Sequence, residues 1–197
     1  PVRRHAGDAC PGPPFPRVTG MARVQLRFYE ELNDFLAPAQ RKVDISHAFD
    51  RRTSVKDMIE SFGVPHTEVD VILVNGTSVD FSHIVRDADR ISVYPVFESL
   101  DVSPLVRLRP EPLRTPAFIL DANLGRLARY LRLLGFDSLY RNDFDDETVA
   151  TLSSEQQRCV LTRDRALLQR RIITRGYFVR AVRPRQQVQE VLSRFDL

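Results

Sequence analysis

Cysteine, lysine and histidine are all scarce in this 197-residue chain, with two, two and four respectively, and no histidine lies beyond His83. Cys10 and Cys159 cannot build a disulfide framework or, alone, a four-ligand zinc site. No run of about 18 apolar residues is present, which excludes a membrane-spanning helix. Any chemistry in the second half must work without imidazole. The cationic side chains there are all arginine, because the lysines are Lys42 and Lys56.

What is present is globular composition, 43% hydrophobic and 28% charged, at a length suiting one medium domain or two small ones. The net charge of +3 conceals a division: residues 1–20 carry +2, 21–98 carry −4, 99–116 carry +1 and 117–197 carry +4. An acidic first half opposite an arginine-rich second half suggests a division of labour.

Residues 1–20 hold five of the thirteen prolines and no periodic apolar pattern. They lack the apolar core of a secretory signal and read as a disordered extension, with the native start placed at Met21. In ARVQLRFYE, Val24, Leu26 and Phe28 alternate with polar residues, which predicts a half-buried strand. Lys42–Ser46 is a second strand candidate. Ser54 and Asp57 give a capping signal for a helix ended by Gly63 and Pro65. VDVILVNGTSVDF predicts a hairpin turning on Asn75-Gly76, and Arg90–Val96 a last strand. The order β-β-α-β-β-β predicts an α+β ubiquitin-like β-grasp domain over residues 21–98.

This spacing resembles the small sulfur-carrier proteins of thiamine and molybdopterin synthesis. Those end in Gly-Gly, whereas here Val96-Phe97-Glu98-Ser99 stands at that place and the chain continues. The resemblance therefore implies a docking or stabilising module rather than sulfur transfer. Residues 99–116, with Pro104, Pro110, Pro112 and Pro116, read as a semi-stiff linker.

From residue 117 to 197 strands alternate with helices, which predicts a parallel α/β sheet. The strand candidates are AFIL (117–120), Asp137–Tyr140, RCVLT (158–162) and GYFVRAV. The helix candidates are Ala122–Leu134 with Gly135 as its stop, a helix after DFDDE, RALLQRR and RQQVQEVLSRF.

Sites in open parallel sheets form beyond the carboxyl ends of strands. Asp121 and Asp164 each follow a strand and precede a helix, while Asp143, Asp145, Asp146 and Glu147 crowd another helix start. If the first and third strands are adjacent, these acids converge. Clustered carboxylates repel unless a cation joins them, and an all-oxygen set favours Mg²⁺ or Mn²⁺. Taken singly, Asp121, Asp146 and Asp164 each read more readily as plain helix N-caps; three strand-end acids in one small domain without histidine or lysine shift the balance toward metal. Thr162 is either a β-branched strand residue or a hydroxyl partner of the metal's water.

Arg126, Arg129 and Arg132 span an arc of roughly 120° on one helix face, a phosphate-binding face or a solvated one. Arg163 and Arg165 flank Asp164, and Arg141 precedes the acidic loop; each could bind phosphate or pair with a carboxylate. Tyr130 and Tyr140 are either base-stacking or core residues.

FILDANLGRLARYLRLLGFDSLY, DDETVATL and RCVLTRDRALLQRR together resemble the PIN-like ribonuclease domain at the C terminus of the Mut-seven exonuclease family. Bacterial members are similar in carrying an N-terminal ubiquitin-like domain, so the resemblance spans about residues 21–197. It implies a metal-dependent ribonuclease; a small cleft of acids and arginines reaches an unpaired strand most easily, so single-stranded RNA is the expected substrate, and the cytoplasm the expected location. It also implies Asp121, Asp146 and Asp164 as metal-binding catalytic acids, with Asp145 competing for the place of Asp146. Mg²⁺ or Mn²⁺ is the implied cofactor, and Arg126, Arg129 and Arg132 face the RNA. Arg163 and Arg165 are further RNA contacts, with Thr162 in support. A small zinc ribbon of Cys-x-x-Cys pairs usually follows in the family; this chain stops at Leu197, so the ribbon is truncated or absent.

Two other readings stay open. One is a non-catalytic RNA-binding or adaptor protein with a degenerate site, since only Asp143, Asp145, Glu147 or the distant Asp137 could supply a fourth acid. The other makes the β-grasp domain a protein-docking module with the second domain as ballast. PIN-like domains often pair, which leaves a homodimer open as well.

Overall fold

The computed structural model describes residues 21–95 and 116–197. The expected extension (1–20), most of the linker (99–116) and the far end of the strand Arg90–Val96 lie outside the described residues.

In the first domain the alternation of Val24, Leu26 and Phe28 produces β1 (Ala22–Phe28), and these three side chains are buried. β2 is Ile45–Phe49 rather than Lys42–Ser46. The chain turns at Lys42, which has φ +59°, and the Lys42 N–H donates to the Asn33 Oδ1 at 2.6 Å, so the strand starts later. α1 (Val55–Ser61) is capped by Ser54, whose hydroxyl oxygen accepts from the Asp57 N–H. β3 (Val69–Val74) and β4 (Thr77–Val79) turn on Asn75-Gly76, whose φ values of +52° and +83° both suit a tight two-residue hairpin. β5 (Arg90–Pro95) completes a sheet ordered β2-β1-β5-β3-β4, with β1 and β5 parallel and the other pairs antiparallel. Val55, Met58 and Ile59 of α1 close one core with the inward residues of β1, β3 and β5.

The second domain is a four-stranded, all-parallel sheet ordered β7-β6-β8-β9, built from β6 (Phe118–Leu120), β7 (Ser138–Leu139), β8 (Cys159–Thr162) and β9 (Gly176–Phe178). β6 and β8, buried on both faces, read as continuous apolar runs. α2 (Gly125–Leu133) and α5 (Pro184–Phe195) cover one face with Leu127, Leu131 and Val191. α3 (Asp146–Glu155) and α4 (Arg165–Leu168) cover the other with Val149, Leu167 and Leu168. The fold is a parallel α/β domain after a ubiquitin-like β-grasp domain, as the pattern predicted, and the α/β domain is of the PIN-like kind that the resemblance implied.

Several elements are shorter than their apolar runs suggested. The single helix expected over Ala122–Leu134 is a 3-10 turn, Ala122–Leu124, followed by α2. α2 ends as expected at Gly135 (φ +92°), where the Phe136 and Gly135 N–H groups donate to the Leu131 and Arg132 carbonyls in a Schellman motif. Among the described residues no helix is long and apolar enough to cross a membrane.

The domains meet along the β9 edge and α4. Phe35 packs edge-on to Phe178 at 5.4 Å between ring centroids, and Phe178 adds to the first domain's core. Arg180 pairs with Asp34 at 3.1 Å.

Candidate active site

The strand order places a topological switch point between β6 and β8. From β6 the chain moves outward to β7, returns to β8 beside β6, and proceeds to β9 on the far side. Side chains just beyond the carboxyl ends of β6 and β8 therefore border a crevice, the usual ligand position in parallel sheets.

Asp121 occupies the β6 side. Its N–H donates to the Leu161 carbonyl at 3.1 Å, extending the ladder one step so that Asp121 stands beside Thr162. Thr162 is fully buried, and its hydroxyl donates to the Asp121 Oδ2 at 2.9 Å. The same Oγ1 accepts from the Asp164 N–H at 2.9 Å. One threonine thus ties together the two strand ends and the two acids. Its hydroxyl contacts the carboxylate of Asp121 and the main-chain amide of Asp164, rather than only packing as a strand residue.

The capping reading separates the three acids. Asp121 precedes the 3-10 turn but its side chain caps nothing; it is 8% exposed, and its Oδ1 takes no hydrogen bond among the described residues. Asp164 is a cap, its Oδ1 accepting from the Ala166 N–H at 2.8 Å. At the third position the cap is Asp145, whose Oδ1 accepts from the Thr148 N–H at 2.8 Å, and Asp146 opens α3 uncapped. That bond from Thr148 is the main reason the Asp145 carboxyl titrates below its ordinary range.

α3 covers the sheet face on which Thr162 and Asp121 stand, and it starts at the carboxyl edge, so Asp146 lies toward the same side. Its nearest cation is Arg170 at 3.9 Å, a half-exposed pair worth little. Among the described residues no three His, Cys, Asp or Glu side chains gather as a metal-holding group, so Asp146 is not joined to Asp121 and Asp164. Two carboxylates suffice for Mg²⁺, which keeps several waters and takes the rest of its shell from substrate oxygens. Asp121 and Asp164 offer only hard oxygen donors, with the Asp121 Oδ1 free of hydrogen-bond donors among the described residues, a donor chemistry that suits such an ion.

Three of the four candidate fourth acids are committed elsewhere, Asp145 as the cap of α3 and the other two to arginines. Arg141 grips Asp143 through two bonds of 2.9 and 2.7 Å, which holds the Asp143 carboxyl below its usual range. Arg158 does the same to Asp137 at 2.9 Å on both oxygens, at the amino ends of the strands, away from the crevice.

The arginines divide too. Arg126 and Arg129 are exposed on α2 and make no hydrogen bond or ion pair among the described residues. Arg132 instead clasps β7, its Nε donating to the Ser138 carbonyl at 2.7 Å, which departs from the phosphate-facing role expected of it. Arg163 donates to the Ala181 carbonyl at 2.5 Å. Arg165 turns to the first domain, donating to the Phe35 carbonyl at 3.0 Å, because α4 lies against that domain.

A groove of about 600 Å³ opens directly after Asp121, lined by Asn123, Gly125, Arg126, Tyr140, Pro184 and Gln187 among others. Tyr140 is structural here: its hydroxyl donates to the Ala122 carbonyl at 3.0 Å, pinning the turn that follows Asp121. A Cβ on Gly125 would sit 2.6 Å from that hydroxyl, so the turn needs glycine. Gly125 inside an apparent helix was the available sign of this feature; nothing in the local sequence marked Gln187 and Pro184 as the opposite wall.

The fold and this crevice define a parallel α/β domain with a strand-end acid site beside free arginines. Residues 116–197 match the Mut7-C RNAse domain and residues 21–101 match the Mut7-C ubiquitin domain. The chain thus belongs to the Mut7-C family, with the ubiquitin-type domain first and the RNAse domain second. Family membership implies a ribonuclease-type function with RNA as the substrate class. No curated protein and no solved structure matches the chain.

Proposed function

We propose that the chain is a Mg²⁺- or Mn²⁺-dependent ribonuclease that hydrolyses phosphodiester bonds of single-stranded RNA in the cytoplasm. The observation that carries this reading is the Thr162 bridge between Asp121 and Asp164 at the switch point. Asp121 and Asp164 would hold the ion, and Asp146, at the head of α3, would stand apart from it. A bound divalent ion provides Lewis acidity at a phosphoryl oxygen and activates water near neutral pH.

The chain's own residues do the positioning. Thr162 fixes the rotamer of Asp121 by donating to Oδ2, which leaves Oδ1 as the oxygen available to a ligand. Asp164 is aligned by its cap on Ala166 and by the bond from its amide to Thr162. Arg126 on the groove wall and Arg129 one turn further would neutralise successive phosphates. The groove is about as large as a small-ligand cleft, which favours an unpaired strand over a duplex.

The test is incubation of the full chain with labelled single-stranded RNA, in Mn²⁺ or in EDTA. Cleavage confined to the metal-containing reaction supports the proposal. Binding without cleavage in either condition would replace it with a non-catalytic RNA-binding role.

A further inference from the structure

The first domain's contacts with the second concentrate on the segment that carries one side of the crevice. β9 is an edge strand, and while the Val179 N–H donates inward to the Thr162 carbonyl at 2.8 Å, the Phe178 N–H lies outside the ladder with β8. An unpaired edge amide beside a buried surface is costly. Here it donates to the Glu68 Oε1 at 2.6 Å. Glu68 is 1% exposed, and Arg180 stands 3.7 Å from its other oxygen. A carboxylate so deeply buried is tolerated only with such partners, so the contact has a defined geometry rather than a sliding one.

A second tie runs through Arg165. This residue directly follows Asp164 and opens α4, a helix of four residues. A single turn has no independent stability and holds its shape only through what it packs against. The Arg165 Nη1 donates to the Phe35 carbonyl at 3.0 Å, and the guanidinium lies 5.1 and 5.6 Å from the ring centroids of Phe35 and Phe178. The far end of the same segment is held by the His66 ring, whose Nε2 is 2.9 Å from the Ile173 carbonyl.

Ordinary adhesion between domains could place such contacts anywhere on the shared surface. These fall one step from the crevice. Phe178, held by Glu68, is the register partner of Thr162, and Arg165, held by Phe35, is the neighbour of Asp164.

We propose that the ubiquitin-like domain is a positioning element of the strand-end site, fixing Thr162 and Asp164 through Glu68 and the Phe35–Arg165 contact. The inference rests on the reading of Asp121, Thr162 and Asp164 as the site. Glu68 and Arg165 are positioning residues in it, and the first domain's partner is the second domain of its own chain.

The test is residue-resolved hydrogen exchange on the metal-free full chain, comparing wild type with Glu68→Ala, Glu68→Gln, Arg165→Ala and Arg165→Lys. The Asp164 and Ala166 amides, which donate to Thr162 and Asp164, are expected to exchange at least tenfold faster in the two alanine variants. Amides of β1 and α2 should hold their wild-type rates. Glu68→Gln keeps an acceptor for the Phe178 N–H and should restore most of the protection. In Mn²⁺-dependent cleavage, Arg165→Ala should lower kcat with little change in KM. Unchanged exchange at Asp164 and Ala166, or equal acceleration across the domain, would overturn positioning and leave adhesion. If the wild-type chain cleaves no RNA, the site's function falls, while the exchange pattern still decides whether the first domain positions those residues.

Discussion

The hydroxyl of Thr162 reaches the carboxylate of Asp121 across two neighbouring strands, at 2.9 Å and fully out of contact with water. In Thr162→Val the shape is retained and the donor is lost, leaving Asp121 a buried carboxylate without its protein partner. A loss of about 1–3 kcal/mol of local organisation is expected, enough to lower cleavage by roughly tenfold or more. Thr162→Ser should retain most activity. Equal rates for the valine variant and wild type would show that the bridge has no part in the chemistry.

Among the described residues Arg126 and Arg129 make no hydrogen bond or ion pair, whereas Arg132 does. The Arg126/Arg129 double alanine variant should bind RNA more weakly and flatten its salt dependence by about 1.4 log–log units, at about 0.7 per charge on a single strand. Arg132→Ala should instead lower the melting temperature, because it frees the Ser138 carbonyl on β7. Binding in titrations at several salt concentrations, beside thermal melts, separates the two effects.

Gly125 stands at φ −57°, where alanine would ordinarily favour the helix. The Tyr140 ring reverses that preference, since its Oη and Cζ would lie 2.6 and 2.8 Å from the new methyl. Gly125→Ala is therefore expected to destabilise by about 1–3 kcal/mol. The penalty should shrink in a Tyr140→Ala background, and chemical denaturation of the four proteins gives the coupling.

The Thr67 hydroxyl is buried beside the domain interface with no hydrogen-bond partner among the described residues. Thr67→Val removes an unsatisfied polar group at constant shape and should stabilise by about 1 kcal/mol. A fall in the denaturant midpoint would contradict this.

Arg158 holds the exposed Asp137 carboxyl below its ordinary range, chiefly through their paired hydrogen bonds. A carboxyl whose folded pKa is depressed contributes stability above its unfolded pKa near 4, and loses it as pH falls through the folded value. Arg158→Met should therefore lose stability at neutral pH, and its deficit against wild type should shrink as pH falls through the folded pKa of Asp137, leaving the part due to the lost bond to the Phe118 carbonyl. Exposure limits the size of the effect.

Much of this architecture was readable before any coordinates. Alternation gave β1, the Ser54 cap gave α1, Asn75-Gly76 gave the hairpin, and strand–helix alternation gave the parallel sheet with Asp121 and Asp164 at strand ends. Register and partner choice were not readable, because they depend on which strands become neighbours. Asp145 and Asp146 both suit an N-cap, and only the backbone decides between them. Arg165 looks like a phosphate contact beside Asp164 until the first domain is seen to supply the Phe35 carbonyl. Nothing in PHTEVD marks Glu68, although it is buried against a strand more than a hundred residues away.

The most direct measurement is the rate of Mn²⁺-dependent cleavage of single-stranded RNA by Asp121→Asn, Asp164→Asn and, as a control, Asp143→Asn. The two strand-end variants are expected to lose at least a hundredfold in rate, with RNA binding kept, as befits loss of the charges that hold a catalytic ion. The Asp143 variant, whose carboxylate is spent on Arg141, should cleave as wild type does. Undiminished cleavage by Asp121→Asn and Asp164→Asn would contradict a site built on the Thr162 bridge.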